Sequence, residues 1–164
     1  MLDNIRDHSL AVEKVARLIA LRLHKAGEEI SVDKVTAGAL MHDIGKTLCL
    51  NSREDHAAKG REICLQNHLD EIAEIVGEHV ILKDFDPDRS ISEKEIIYYA
   101  DKRVTHDEIV SLEQRLEYII DRYGRESEKL GRLIRKNFDE CRAVEKKIFA
   151  MLDFRPEELA GIVE

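Results

Sequence analysis

An adjacent histidine and aspartate, His42 and Asp43, stand at the end of an apolar helical run. The run from Val32 to Ala39 carries apolar residues at helical spacing, and His42 and Asp43 follow Ala39 by three and four residues, on the same face. Burying an imidazole and a carboxylate is costly unless they are paired or bind a metal. The pattern therefore predicts either a buried, hydrogen-bonded His–Asp pair at a helix C-terminus or part of a metal site.

Gly45 and Lys46 follow Asp43 by two and three residues. Gly45 is expected to end the helix, because glycine tolerates the positive φ common at helix C-termini. Lys46 is then expected outside the helix, as a mobile positive charge near the pair.

Four further polar side chains interrupt apolar helical faces: His8, His56, His79 and Asp101. For a single histidine the alternative is a core residue that is hydrogen-bonded to a backbone carbonyl. An unpaired aspartate within an apolar stripe would be expensive, so Asp101 needs a partner. Gly60, one turn after His56, either lets a backbone or ligand approach or marks a tight helix crossing.

Together these six residues form the candidate site. Their apolar faces are expected to converge on one core in a helical bundle. Four imidazoles and two carboxylates buried near one another would be satisfied by a transition metal. This donor set suits iron, manganese, zinc, nickel or cobalt rather than calcium. The members are His8, His42, Asp43, His56, His79 and Asp101.

The composition indicates one helical domain with a single core. The chain has 164 residues, of which 43% are hydrophobic and 37% charged, with two prolines and eight glycines. Strands are expected to be few or absent. Its formal charge of −8 makes nucleic acid an improbable partner, since such binding depends on neutralised phosphates. Anionic substrates remain compatible, because bound cations invert the local field.

The cysteines and the N-terminus indicate a reducing compartment. Three cysteines without a CxxC motif match neither a disulfide framework nor a zinc-thiolate site. No signal peptide is visible, and no apolar run approaches the ~18 residues of a membrane span. We therefore expect a cytoplasmic protein without a membrane partner.

Several boundaries are predicted along the chain. A first helix is expected over 5–26, Ser31 should cap the second, and Ser92 with Glu95 should form a capping box that begins a long helix. Lys102 and His106 are expected on a solvated face, whereas the role of Arg103 stays open. Pro156 is expected to open a last short helix.

The C-terminal part carries no predicted chemistry. A broad apolar face runs from Leu130 through Leu133 and Ile134 to Leu152, and no histidine lies beyond position 106. We expect a metal-binding core over residues 1–110 and a helical extension over 111–164. The extension should fold back on the core or form a homodimer interface, and it should contribute no metal ligand.

The ordered set His8, His42-Asp43, Asp101 resembles the HD-domain superfamily of metal-dependent phosphohydrolases. The segment His42-Asp43-Ile44-Gly45-Lys46 is similar to the family's HDIG form, and Ala100-Asp101 to its closing aspartate. The resemblance covers about residues 5 to 110. It implies an all-α, HD-domain-like helical bundle, here with additional C-terminal helices. It also implies that His8, His42, Asp43 and Asp101 bind a first metal.

His56, Gly60 and His79 resemble the branches of that family that hold two metals, some of which hydrolyse dinucleoside polyphosphates. Asp43 would then bridge the ions, which would be divalent transition metals, with magnesium as an alternative. The chain lacks the Gly-Tyr-Pro motif of the cyclic-dinucleotide branch and the Glu-Asp pair of alarmone hydrolases. It is also too short for a classical cyclic-nucleotide phosphodiesterase domain.

The resemblance implies hydrolysis of a phosphate ester or anhydride in a small phosphorylated molecule such as a nucleotide or dinucleotide. Metal ions lower the pKa of bound water to roughly 7 and neutralise phosphoryl oxygens. Asp43 and Lys46 are the candidate catalytic residues: Lys46 either holds a phosphoryl oxygen or is an exposed lysine, and Arg103 is a weaker candidate for the same task. Two alternatives remain, a di-iron oxygenase with similar ligands and a regulatory or scaffolding HD domain without turnover.

Overall fold

The protein is built from helices, as predicted. The structure, a computed structural model, describes residues 1–52, 54–124 and 127–163. Its helices are α1 Asp3–Lys25, α2 Val32–Met41, α3 Lys46–Cys49, α4 His56–Gln66, α5 Asp70–Glu78, α6 Glu93–Asp101, α7 Leu112–Ile119, α8 Glu128–Phe149 and α9 Leu159–Ile162. Strands β1 Val104–Thr105 and β2 Glu108–Ile109 form an antiparallel hairpin, a π-helical turn covers Ile120–Gly124, and a 3-10 turn covers Pro156–Glu158.

The core forms where α1 lies against α2 and α6. The α1 stripe is fully buried at Val12, Val15, Ile19 and Leu23. Each such side chain contributes roughly 1.5–3 kcal/mol by leaving water. This face fixes the position of α1 and therefore of His8, which lies on the same stripe.

Two predicted helix starts are confirmed. The Ser31 hydroxyl accepts a hydrogen bond from the backbone N–H of Lys34 at the start of α2. Ser92 and Glu95 form the capping box of α6. These caps satisfy backbone donors that have no partner within a helix.

The role predicted for Gly45 is wrong. Its φ is −76°, and α2 has already ended at Met41. Glycine is needed instead for space, because a Cβ at this position would collide with the carbonyl oxygen of His56 and the backbone nitrogen of Gly60. The two glycines thus let the His42-Asp43 turn pack directly on the start of α4, which carries His56.

The long helix predicted after Ser92 is shorter than expected. It ends at Asp101, the β1–β2 hairpin follows, and α7 starts separately with a capping box between Ser111 and Gln114. Within the hairpin turn, His106 has a φ of +57° and its side chain is exposed, as expected. The chain reversal returns α7 toward the end of α6.

Lys102 corrects another expectation, because it is buried and only 3% exposed. Its Nζ donates to the carbonyl oxygens of His79 at 3.1 Å, Val80 at 3.3 Å and Tyr98 at 3.4 Å. The ammonium group also lies 3.6 Å from the centre of the Tyr98 ring. Lys102 therefore ties the end of α5 to α6.

The C-terminal segment lies on the helical core. Helix α8 contacts α6 and α7, and its buried residues are Phe138, Cys141, Val144 and Ile148. The apolar face is narrower than predicted, since Leu133 is 54% exposed. The division between residues 110 and 111 stays a prediction. None of the helices in the described part of the chain combines the length and apolar character needed to cross a membrane.

Candidate metal centre

All six residues predicted for the site lie in one cluster. Each is carried by the end or face of a different element, apart from the adjacent pair. His8 lies on α1, His42 and Asp43 form the turn after α2, His56 begins α4, His79 caps the C-terminus of α5, and Asp101 ends α6. The cluster is therefore assembled from helices that are separated from one another in the sequence.

Asp43 lies at the centre of this cluster, and its two oxygens face different partners. Oδ2 is 3.5 Å from Nε2 of His42 and 2.7 Å from Nζ of Lys46. Oδ1 is 3.4 Å from Nε2 of His56 and 3.6 Å from Nε2 of His79. The Asp43 carboxylate thus lies between two sets of side chains, His42 with Lys46 on one oxygen and His56 with His79 on the other.

Asp101 supplies the second carboxylate. Its Oδ1 lies 3.0 Å from Nε2 of His8, 3.7 Å from Nε2 of His42 and 3.8 Å from Nη2 of Arg115. His42 is therefore flanked by both carboxylates. Asp101 needs a partner because it interrupts an apolar stripe, and that partner is His8.

Three imidazoles are oriented by backbone carbonyls. Nδ1 of His42 lies 2.7 Å from the carbonyl oxygen of Ala39, and Nδ1 of His79 lies 2.7 Å from that of Val76. Nδ1 of His8 is 2.8 Å from the carbonyl oxygen of His106. Because a carbonyl only accepts, each Nδ1 donates, and in the neutral ring of His42 Nε2 keeps a lone pair that faces the carboxylates. Metal-ligating histidines are commonly oriented in this way.

His42 supplies the strongest indication that a cation belongs here. Its Nε2 is buried and has no hydrogen-bond partner among the residues that the structure describes. Burial lowers the pKa of His42 to about 4, so the ring is neutral at neutral pH. A lone pair that faces two carboxylates is repelled unless a cation lies between them. The donor set fits a transition metal. Two groups of three residues are each close enough to share an ion: His8 with His42 and Asp43, and Asp43 with His56 and His79.

Both carboxylates are ionised despite their surroundings. Burial opposes the charge on Asp43, but His42, His56, His79 and Lys46 hold the pKa of its carboxyl below the ordinary range. Burial also opposes ionisation of Asp101, whereas its hydrogen bond to His8 and the charge of Arg115 lower its pKa well below the usual value. The cluster therefore presents negative charge to a metal at neutral pH.

A cavity of about 460 Å³ opens onto the cluster. Its volume is within the range of small-molecule sites, roughly 300–1,000 Å³. Lys46 lies in its wall with a side chain that is 38% exposed. The cavity is lined by Asn4, Ile5, His8, Asp43, Lys46, His56, His79, Val80, Asp101, His106, Arg115, Tyr118, Ile119, Arg122, Tyr123, Leu130 and Ile134.

Arg103, a weaker candidate for phosphate binding, has a structural role instead. Its Nε donates to the carbonyl oxygen of Val110 at 2.7 Å, and Nη2 donates to that of Pro156 at 3.0 Å. Nη1 donates to the hydroxyl of Tyr99. Arg103 is not among the residues that line the cavity. Its hydrogen bonds join the hairpin to the C-terminal segment.

The sequence interpretation missed the cavity wall formed by α7 and the turn after it. Arg115 is the clearest case, because it stands three residues after Leu112 and one before Leu116 in an apolar stripe. The criterion that selected Asp101, a charge within such a stripe, applies to Arg115 equally. Of the other side chains in this wall, Tyr118 is partly buried and Arg122 is exposed.

Comparison with known proteins agrees with this geometry. Residues 5–124 match the HD domain family, a span that includes every residue of the cluster and α7. The chain belongs to the HD domain family. The predicted resemblance is confirmed, and with it the all-α HD fold and its potential for binding divalent metal.

Two relatives have been identified for this HD domain. The chain is 25% identical over 148 residues to an uncharacterized protein of Methanocaldococcus jannaschii, covering 82% of this chain and 86% of that protein. It is 37% identical over 98 residues to a tRNA (cytidine(56)-2'-O)-methyltransferase of Picrophilus torridus, covering 51% of this chain but only 28% of that protein. No solved structure matches.

Proposed function

We propose that the protein is a metal-dependent phosphohydrolase that cleaves a phosphate ester or anhydride in a nucleotide or dinucleotide. HD domains are commonly metal-dependent hydrolases, and the histidine–aspartate cluster offers the ligands that such an enzyme needs. The short match to the methyltransferase covers a minor part of that protein, so methyl transfer is not part of the proposal.

The observation that carries the proposal is the position of Asp43. One of its oxygens faces His42 and the other faces His56 and His79, at 3.4–3.6 Å from each Nε2. This is the arrangement expected of a carboxylate shared by two ions. His8, His42 and Asp101 would complete the first site, and His56 and His79 the second. Bound ions would supply Lewis acidity and a water of lowered pKa.

The residues around the cluster supply the remaining functions. Asp43 holds its charge at neutral pH because His56 and His79 hydrogen-bond to it and Lys46 supplies a positive charge. Lys46 places an ammonium group at the cavity wall, where it neutralises a phosphoryl oxygen as a point charge. The backbone carbonyls of Ala39, Val76 and His106 keep the imidazoles oriented before substrate arrives. This preorganisation avoids reorientation during the reaction.

A metal-supplemented substrate screen tests the proposal. The protein is stripped with a chelator, reloaded separately with Mn²⁺, Fe²⁺, Zn²⁺, Ni²⁺, Co²⁺ or Mg²⁺, and assayed for phosphate or nucleotide release. Mononucleotides, dinucleotides, dinucleoside polyphosphates and sugar phosphates form the panel. We expect turnover that requires metal and disappears in Asp43→Asn. The variant His24→Ala removes an exposed histidine outside the cluster and should match the parent.

Two results would contradict hydrolysis. Iron-dependent oxygen uptake without phosphate release would indicate an oxygenase. Metal retention without turnover anywhere in the panel would indicate a regulatory or scaffolding domain. Oxygen-electrode measurements on the iron-loaded protein separate these two results.

A further inference from the structure

In addition to Lys46, the wall of the cavity contains Arg115, a cation from α7. The side chain is only 12% exposed. Its Nε is buried and has no hydrogen-bond partner within the described part of the chain. Its closest anionic contact, from Nη2 to Oδ1 of Asp101, is 3.8 Å and exceeds hydrogen-bonding distance. Arg115 therefore lines the cavity with a mostly buried side chain whose Nε donor is unused.

Such an arrangement favours the binding of a further anion. A buried charge without matched hydrogen bonds is unfavourable, and Asp101 already interacts with His8 and His42. A guanidinium presents two parallel N–H donors, a geometry that matches the oxygens of a phosphate. Lys46 lies in the wall of the same cavity. The two cations thus border the space in front of the metal ligands.

Neighbouring side chains hold Arg115 in place without accepting its hydrogen bonds. Its guanidinium carbon lies 5.6 Å from the centre of the Tyr118 ring, which in turn packs edge-on against His106 with 5.5 Å between ring centres. The Tyr118 hydroxyl accepts a hydrogen bond from Nη1 of Arg122 at 2.9 Å. The aromatic ring thus restricts Arg115 without using its hydrogen-bonding groups.

We infer that Arg115 binds the phosphoryl group of the ligand, as a phosphate-binding residue contributed by α7. This inference extends the proposed function by assigning substrate recognition to the helix after the hairpin. Arg115 forms charge-assisted hydrogen bonds to phosphoryl oxygens, and Lys46 provides a second positive charge.

Calorimetric titration with inorganic phosphate tests the assignment without requiring turnover. The parent, Arg115→Gln and Arg115→Lys are compared at equal metal content, measured by elemental analysis. We expect Arg115→Gln to weaken phosphate binding about tenfold or more while retaining metal, as for the loss of charge-assisted hydrogen bonds. Arg115→Lys should recover only part of the affinity, because it keeps the charge and loses the planar fork. Arg132→Gln, at an exposed arginine of α8 outside the cavity, is the matched control.

Two outcomes would overturn the assignment. In the first, Arg115→Gln retains metal and binds phosphate within about twofold of the parent, a difference too small for a lost ionic contact. In the second, Arg115→Gln loses metal and Arg115→Lys restores both metal and phosphate binding fully, which would make Arg115 a counter-charge for Asp101. Phosphate binding that depends on Arg115 in a protein that hydrolyses nothing would support the assignment and refute the proposed hydrolase separately.

Discussion

Nζ of Lys46 lies 2.7 Å from Oδ2 of Asp43, although the lysine begins a helix of its own and the aspartate belongs to the preceding turn. Lys46 is 38% exposed, whereas Asp43 is almost completely buried. The ammonium group thus links the buried carboxylate to the cavity. It balances the charge of Asp43, and in the proposed function it also contacts a phosphoryl oxygen.

Replacing Lys46 should separate these two roles. We expect Lys46→Ala to keep its metal and lose about a hundredfold in kcat/KM, the scale observed when one preorganised electrostatic contact is removed. Lys59→Ala removes a lysine of α4 that pairs with Glu62 outside the cavity, and it should leave the rate unchanged. Steady-state kinetics with elemental analysis measure both quantities. Loss of metal with an unchanged rate per bound ion would show that Lys46 serves only Asp43.

The first metal site predicts a specific loss of metal. His42→Ala and Asp43→Ala should each lose most of the bound ion while remaining helical, because each removes a donor from the centre of the cluster. Elemental analysis gives the metal content, and circular dichroism gives the helicity. His24→Ala, at an exposed position of α1, should retain the parental content. Equal metal in all four proteins would exclude the proposed site.

The metal-free protein should become less stable in mild acid because of His42. Burial lowers the pKa of His42 from its ordinary value of 6.5 to about 4. Between these values the unfolded chain binds more protons than the folded chain, so the free energy of unfolding falls as the pH is lowered. The loss amounts to about 3 kcal/mol over this interval. Urea unfolding of chelator-treated protein at several pH values measures it.

The variant His42→Gln tests whether His42 causes this pH dependence. Glutamine does not titrate, so its unfolding free energy should change less between pH 6.5 and pH 4, while His24→Ala should follow the parent. A parental curve that is flat across this interval would contradict the neutral, buried state of His42.

The six residues of the cluster were predictable because each is a polar group at a position that helical periodicity assigns to the core. Periodicity gives the face of a helix, and the cost of burying charge makes such residues informative. The same reasoning holds for Arg115, which stands in the α7 stripe. Its place in the cavity wall depends on the hairpin after Asp101, which turns α7 back over the cavity.

Lys102 and Gly45 show what sequence patterns leave undetermined. Lys102 follows a buried aspartate and belongs by periodicity to another face, yet carbonyl oxygens of His79 and Val80 enclose its ammonium group. The tolerance of glycine for positive φ predicts that Gly45 ends a helix, whereas glycine is needed there because the backbone of α4 lies too close for a Cβ. Both depend on contacts with segments distant in sequence, which local patterns do not contain.

The packing of α8 on the core predicts unequal effects of two apolar truncations. Ile148 is completely buried and should lose about 2–5 kcal/mol of unfolding free energy on replacement by alanine. Leu133 is 54% exposed on the same helix, so Leu133→Ala should change stability by less than about 0.5 kcal/mol. Urea denaturation measures both variants.

Removing the segment after Gly124 should have a larger effect than either substitution. The hydroxyls of Tyr98 and Tyr99 would lose their partners Asn137 and Glu145, and the apolar surface of α6 would be exposed. We therefore expect an insoluble protein or one with a changed mass by light scattering. An equally soluble truncation of unchanged oligomeric state would contradict this role of α8.

The final prediction is that the site holds two ions. His56 and His79 face one oxygen of Asp43, while His42 lies beside the other. If His56 and His79 bind a second ion, His56→Ala and His79→Ala should each reduce the stoichiometry from two ions to one, since His8, His42 and Asp101 remain. Activity should fall by far more than half, because a nucleophile activated by both ions would be lost. Metal-to-protein ratios with steady-state rates decide the question. A parental ratio of one, unchanged in both variants together with the rate, would make the centre mononuclear and leave His56 and His79 as structural residues.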